Sequence, residues 1–298
     1  MLLQPLYPLE NYNAFEDCIL VDSFRGNDAN VPAYIVFRPS TRQLIVSICG
    51  TSSIRHALQD LRATRTPHTS GHGRVHSGFW DLYHGIKNKL LGGIQKGFEE
   101  HSPLELVLTG HSMGGSLAYL LCMDIFADKD AWRPSVSLKL AVFGVPRTGD
   151  AGLVQYFRTL ADDFRHTWGR DNFKEYSVKG FNDGNHIFFF CICCASYMFL
   201  GVPALPPVLL GYRHFCQEPL YTFCGKLFKT PASECEHALF YTKLEEEMDE
   251  ETRLFPMGGH NYYNGRDLER FLRRIDWLLK SDPAIVGWEG RYLAMVTK

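Results

Sequence analysis

The residues best suited to chemistry lie in Gly110-His111-Ser112-Met113-Gly114-Gly115. An apolar run, residues 104–108, precedes this stretch and another, residues 117–126, follows it. That pattern predicts a strand, a tight glycine-rich turn and a helix. Such a turn places a serine at a strained corner with its hydroxyl at the end of a sheet strand. Gly110 and Gly114 have no Cβ to collide where strand and helix meet. The helix start also points free backbone N–H groups, that of Met113 first, at the place where an oxyanion would form. The chemistry suggested is nucleophilic attack by Ser112 on an acyl carbonyl. A bare Gly-x-Ser-x-Gly is a weak signal, and the flanking strand and helix patterns give it weight.

The elements that would carry this turn alternate between strand and helix. Residues 33–37 and 43–49 are short apolar runs around Arg38-Pro39-Ser40-Thr41-Arg42, which predicts a β-hairpin. Residues 54–61 have weak helical spacing, and residues 64–74 are polar and rich in His and Gly, which predicts a mobile loop. A helix is predicted over 76–97, a buried strand over 138–143, a helix over 151–162 and strand-like pieces over 163–183. Residues 202–212 are Pro-rich and apolar, 244–252 form a charge run that reads as a solvated face, and 267–279 are amphipathic. Strands alternating with helices predict an α/β fold with a mostly parallel central sheet and helices on both faces. The expectation is one domain over residues 1–298.

Composition narrows the function. The 298 residues are 45% apolar and 21% charged, an ordinary globular balance. A net charge of −2 argues against a nucleic-acid partner, which would require a basic face. Nine cysteines include no metal-type double Cys-x-x-Cys, and no Gly-rich phosphate loop occurs, so neither a metal nor another cofactor is expected. Cys49 and Cys122 lie in apolar runs and read as core residues; a disulfide among Cys18, Cys216, Cys224 and Cys235 stays open. Residues 1–13 lack a basic segment followed by a long apolar core, and no Asn-x-Ser/Thr site occurs. Both lean toward a cytoplasmic protein, or a secreted one with a truncated start.

Four blocks in order resemble the fungal class 3 lipases, the Rhizomucor-type α/β-hydrolases. They are Cys49-Gly50-Thr51-Ser52-Ser53-Ile54-Arg55, Val75-His76-Ser77-Gly78-Phe79, the Ser112 turn, and Gly144-Val145-Pro146-Arg147-Thr148-Gly149-Asp150. A fifth, Pro203-Ala204-Leu205-Pro206-Pro207 with Gly211-Tyr212-Arg213-His214, resembles the family's Pro-rich segment, and Gly258-Gly259-His260 lies where the family places its histidine. The likeness runs over about residues 33–279. It implies the α/β-hydrolase fold and a Ser-His-Asp triad.

On this resemblance His260, one of 12 histidines, is the base that takes the proton of Ser112, in the chain order serine, acid, histidine. His111 adjoins the nucleophile by motif, while His76 and His214 match positions read as structural. The oxyanion donors implied are the N–H of Met113 and the N–H and hydroxyl of Thr51. Cys49 stands where the family usually has an arginine before Gly-Thr, a packing difference. Two residues compete for the acid that orients His260. Asp183, in Asn182-Asp183-Gly184, is the first candidate, and Asp171, in Trp168-Gly169-Arg170-Asp171, is its rival. Residues 53–61 correspond to the family's short lid helix; their modest apolarity favours soluble or dispersed esters.

Residues 185–201, including Phe188-Phe189-Phe190-Cys191-Ile192-Cys193-Cys194, interrupt the likeness, since removing them joins Asp183-Gly184 to Val202-Pro203 as in the family. Three readings are open: a membrane-contacting loop beside the site, a transmembrane helix, and translation of a retained intron. The apolar part ahead of Pro203 is too short to span a bilayer. The expected activity is carboxylic ester hydrolysis through an acyl-enzyme, with acylglycerols or related lipid esters as substrates and contact with a lipid surface. An aryl or feruloyl esterase is the alternative enzyme. A catalytically impaired lipid-binding homologue, its acid displaced by residues 185–201, is the alternative from another class.

Overall fold

The computed structural model describes residues 17–26, 31–50, 64–128, 132, 135–180, 183, 188–191, 196–199, 202–223, 226–229, 232–236, 260, 262–263, 266–267, 280–282 and 284–296. The described elements begin with β1 (Ile19–Arg25), β2 (Pro32–Arg38) and β3 (Gln43–Ile48), an antiparallel meander in which Phe37 faces Leu44 across the turn. The predicted hairpin over 33–49 is therefore present. Next come β4 (Arg65–Pro67), β5 (Arg74–His76), α1 (Ser77–His101), β6 (Glu105–His111), α2 (Met113–Ala127) and β7 (Ser137–Phe143). They are followed by β8 (Gly149–Asp150), α3 (Ala151–Trp168), β9 (Phe173–Gly180), β10 (Phe188–Cys191) and β11 (Ser196–Phe199). β12 (Tyr212–Arg213), β13 (Leu220–Phe223), β14 (Lys226–Lys229), β15 (Tyr262–Tyr263), β16 (Arg266–Asp267) and α4 (Trp288–Val296) complete the described strands and α-helices.

Eight of these strands form the main sheet, in the order β1-β2-β3-β6-β7-β9-β13-β14. The run from β3 through β6, β7 and β9 to β13 is parallel, and the pairings outside it are antiparallel. Each crossover steps one strand in the same direction. Right-handed crossovers of that kind put their helices on one face, and α1 touches α2 while α2 touches α3. On that face Leu44, Val46, Ile48, Leu106, Leu108, Leu138, Leu140 and Val142 are buried, whereas their alternate neighbours Ile45, Val107 and Lys139 are half-covered. The middle helix α2, apolar all round, is buried on nearly every side, including Cys122. The helix expected over 267–279 falls almost wholly outside the described residues, and Asp267 itself pairs in β16. Residues 54–61 and the charge run 244–252 also lie outside them.

Three expectations need correction. The stretch 64–74 is not a loop throughout: β4 and β5 pair, His68 N–H donates to the carbonyl of Gly73 at 3.1 Å, and the His68 ring packs on Trp80 at 4.7 Å. A buried ring and backbone pairing outweigh the polar composition. Helix α1 continues past Gly97 to His101, because that glycine is a packing residue; a Cβ there would lie 2.5 Å from Leu44 Cδ1. Helix α3 continues to Trp168, since Phe164 carries the buried stripe of Phe157, Leu160 and Ala161 past the predicted end at 162. Cys216 and Cys235 are free thiols, as are Cys49 and Cys122, while Cys224 is outside the described residues. No helix among the described residues is long and apolar enough to cross a membrane.

Candidate active site

The parallel strands end in register. Ile48 pairs with Gly110, His111 with Phe143, and Phe143 with Val178. Whatever follows these residues therefore collects along one edge of the sheet, the edge where open α/β sheets bind ligands. Ser112 follows β6 and Asp183 follows β9 at that edge.

Ser112 caps α2 with φ +58° and ψ −129°, a sparsely populated conformation for a residue with a side chain. Such a residue costs about 1–3 kcal/mol and persists only where its surroundings hold it. Ser112 N–H donates to the Phe143 carbonyl at 2.8 Å, and Gly115 N–H donates to the Ser112 carbonyl at 3.0 Å. The turn closes because its glycines admit backbone: a Cβ on Gly110 would sit 2.3 Å from the Gly114 carbonyl carbon, and one on Gly114 would sit 2.1 Å from the Ile48 oxygen. Met113 opens α2, whose first N–H groups have no partner within the helix. Ser112 and Met113 are both about 4% exposed.

His260 comes to this corner from far along the chain. Its Nδ1 is 2.9 Å from each oxygen of the Asp183 carboxylate, and Asp183 is fully buried. Its Nε2 is buried, with no hydrogen-bond partner among the described residues. The two rings of His111 and His260 lie 4.4 Å apart and tilted, and His111 Nε2 is 2.6 Å from the backbone carbonyl of His260. A carbonyl only accepts, so Nε2 of His111 carries a proton and donates. Burial, reinforced by the nearby His260, lowers the His111 pKa to about 4. His111 is thus a neutral imidazole at neutral pH. Asp183 keeps this contact with residues 185–201 in the chain; among the described residues β10 and β11 pair only with each other, Phe188 opposite Phe199.

Asp171 lies elsewhere. It sits, exposed, in a single helical turn (Arg170–Asn172) ahead of β9 rather than in the strand expected there. Phe173 pairs with Leu138, which pairs with Leu106, so Asp171 is at the opposite end of the sheet from His111. The five steps from Leu106 to His111 correspond to about 17 Å of strand. Thr51 is outside the described residues.

A second buried polar group supports the same edge. Arg147, about 4% exposed, donates to the carbonyls of Ala204 and of Pro206 (3.1 Å), to the Glu236 carboxylate (2.7 Å) and to the Glu236 carbonyl (2.5 Å). Lys179 Nζ donates to the Cys235 carbonyl at 2.6 Å, and His214 N–H to Glu236 at 3.0 Å. Burial, with Arg147 nearby, lowers Lys179 to about 8, and burial takes His214 well below its ordinary value. His76, buried between Phe79 (4.4 Å) and Tyr212 (5.7 Å), is lowered to about 4 by burial. These groups hold the segments flanking the site. The motif reading of His76 and His214 as structural fits their surroundings, whereas the bond of His111 to His260 has no signal in local spacing. Among the described residues no His/Cys/Asp/Glu group is arranged to hold a metal.

The crossover sheet, the serine at its carboxyl edge and the following helix define an α/β-hydrolase fold. Comparison with solved structures agrees: the Rhizomucor miehei lipase in its propeptide complex superposes with a TM-score of 0.62 at 21% identity, covering 86% of this chain and 70% of that one. Residues 45–177 match the class 3 lipase family. The "Lipase" of Rhizomucor miehei is 30% identical over 207 residues, 69% of this chain and 49% of that protein. The "Secreted mono- and diacylglycerol lipase 1" of Fusarium solani is 22% identical over 204 residues, 68% of this chain and 51% of that protein. The chain spans about half the length of these curated relatives. Through residues 45–177 it belongs with the fungal-type class 3 lipases.

Proposed function

We propose that this protein is a serine carboxylic ester hydrolase acting on acylglycerols or related lipid esters. The observation that carries the reading is His260: its Nδ1 is held by a buried carboxylate, its Nε2 is buried without a partner among the described residues, and its backbone is hydrogen-bonded to the residue beside the strained Ser112. That is the arrangement of a base with one nitrogen oriented and the other reserved for a nucleophile.

In the reaction, Ser112 Oγ attacks the ester carbonyl carbon as its proton passes to His260 Nε2. Asp183 stabilises the imidazolium. The Met113 N–H, at the positive end of α2, takes the developing oxyanion, and Thr51 is the expected second donor. Collapse breaks the carbon–oxygen bond to the alcohol, which leaves with the proton from His260. Water then attacks the acyl-enzyme, giving its proton to His260, and Ser112 Oγ recovers that proton as the acid departs. The relatives named as lipases, one of them a mono- and diacylglycerol lipase, support lipid esters as the substrate class.

The test is p-nitrophenyl butyrate and palmitate hydrolysis by the wild type beside Ser112→Ala, with labelling by a serine-directed phosphonate. Turnover and labelling, both lost in the variant, are expected. Folded wild-type protein that neither turns over nor labels would overturn the reading. A strong preference for butyrate would favour an esterase over a lipase.

A further inference from the structure

His260 is fixed at two points. Asp183 holds one end of its ring, which sets the rotation of the side chain. That contact does not fix the backbone from which the ring hangs. The carbonyl of His260 takes a 2.6 Å hydrogen bond from His111 Nε2, and the two rings touch. His111 is the last residue of β6, a strand paired on both sides, to β3 and to β7. Its neighbour in the chain is Ser112. One imidazole therefore ties the backbone of the base to the strand that carries the nucleophile.

We infer that His111 is a positioning residue, one that sets the distance between Ser112 and His260 by holding the His260 carbonyl. The inference rests on the hydrolase reading above. A donor is required at this point, because the His260 carbonyl accepts nothing from a neutral apolar side chain. A flat side chain is also required, because it lies against the ring of His260. A permanent cation would be the wrong donor: beside His260 it would oppose the imidazolium that forms when Ser112 loses its proton. His260 and Asp183 are among the groups facing His111, and its burial keeps it uncharged through neutral pH. A neutral imidazole satisfies all three demands, and a glutamine satisfies the first and third.

The experiment compares wild type, His111→Phe, His111→Gln and Ser112→Ala on p-nitrophenyl butyrate, with the rate of phosphonate labelling measured in parallel. Phenylalanine keeps the ring and removes the donor; glutamine keeps a donor of similar reach. The expected result for His111→Phe is a fall in kcat and in labelling rate of roughly 30- to 100-fold with KM little changed, the effect of a misplacement of about 1 Å. His111→Gln should recover most of that loss. Wild-type kcat in His111→Phe would overturn the inference, and so would equal losses in the Phe and Gln variants. If His111→Phe does not fold, His111→Gln decides alone, near-wild-type kcat supporting a donor role and a 30-fold fall refuting it. Absence of Ser112-dependent activity in the wild type would instead sink the hydrolase reading.

Discussion

Acid should destabilise this fold well above the range in which carboxylates titrate, and His76 allows the cause to be isolated. It is about 2% exposed, packed on Phe79 and Tyr212, with Nδ1 buried and without a partner among the described residues. Burial lowers its pKa from 6.5 to about 4. Between those values the unfolded chain holds a proton that the folded chain refuses, so stability rises with pH there. The contribution is present above pH 6.5 and is lost as pH falls toward 4. From pH 7 to pH 5 the loss is about 2 kcal/mol for His76, and His111, shifted similarly, loses about 2 kcal/mol more. The assay is urea unfolding at both pH values for wild type and His76→Phe. Phenylalanine suits the apolar site and cannot take a proton, so the drop in the variant should be smaller by about 2 kcal/mol. Its stability at pH 7 is immaterial, because only the difference between the two pH values is compared. An equal drop in both proteins would refute the claim that a neutral, buried His76 supplies it.

Other outcomes follow from the same geometry. Asp183→Asn should lower kcat about 10⁴-fold, the usual cost of losing the acid partner, while Asp171→Asn should leave ester hydrolysis near wild type; steady-state kinetics on p-nitrophenyl butyrate separates them. Gly114→Ala forces a Cβ to 2.1 Å from the Ile48 oxygen, so Tm and kcat should fall together, with overpacking costing at least about 1–3 kcal/mol. Arg147→Met should destabilise by about 3 kcal/mol in urea unfolding, the lower end for a broken buried pair, since Glu236 is partly exposed. Deleting residues 185–201 should leave phosphonate labelling of Ser112 intact, because among the described residues β10 and β11 pair only with each other, and Asp183 precedes them.

The corner at Ser112 was legible because two long apolar runs bracket a stretch whose glycines have a single steric explanation. The β2–β3 hairpin was legible for a similar reason, a polar Pro-containing turn between two apolar runs. Misreadings arose where tertiary contact overrode local composition. Gly97 suggested a helix end, yet in the fold it is the residue that lets α1 lie on Leu44. The polar stretch 64–74 suggested mobility, yet its backbone pairs and His68 packs on Trp80. Nothing local marks Arg147 as the donor to Ala204, Pro206 and Glu236, since each of those contacts joins distant parts of the chain.

The choice of acid shows what kind of information was missing. Asp171 and Asp183 lie close together in the chain, and local motifs spoke for both. Between them runs β9, eight residues long. A strand of that length spans about 26 Å, so residues before and after it stand at opposite edges of the sheet. β9 is parallel to β7, and β7 to β6. A residue can therefore join Ser112, which follows β6, only if it follows β9 as well. Asp183 meets that condition and Asp171 does not. The deciding quantity is the direction of the strand relative to its neighbours, and it belongs to the sheet rather than to either aspartate's surroundings in the sequence.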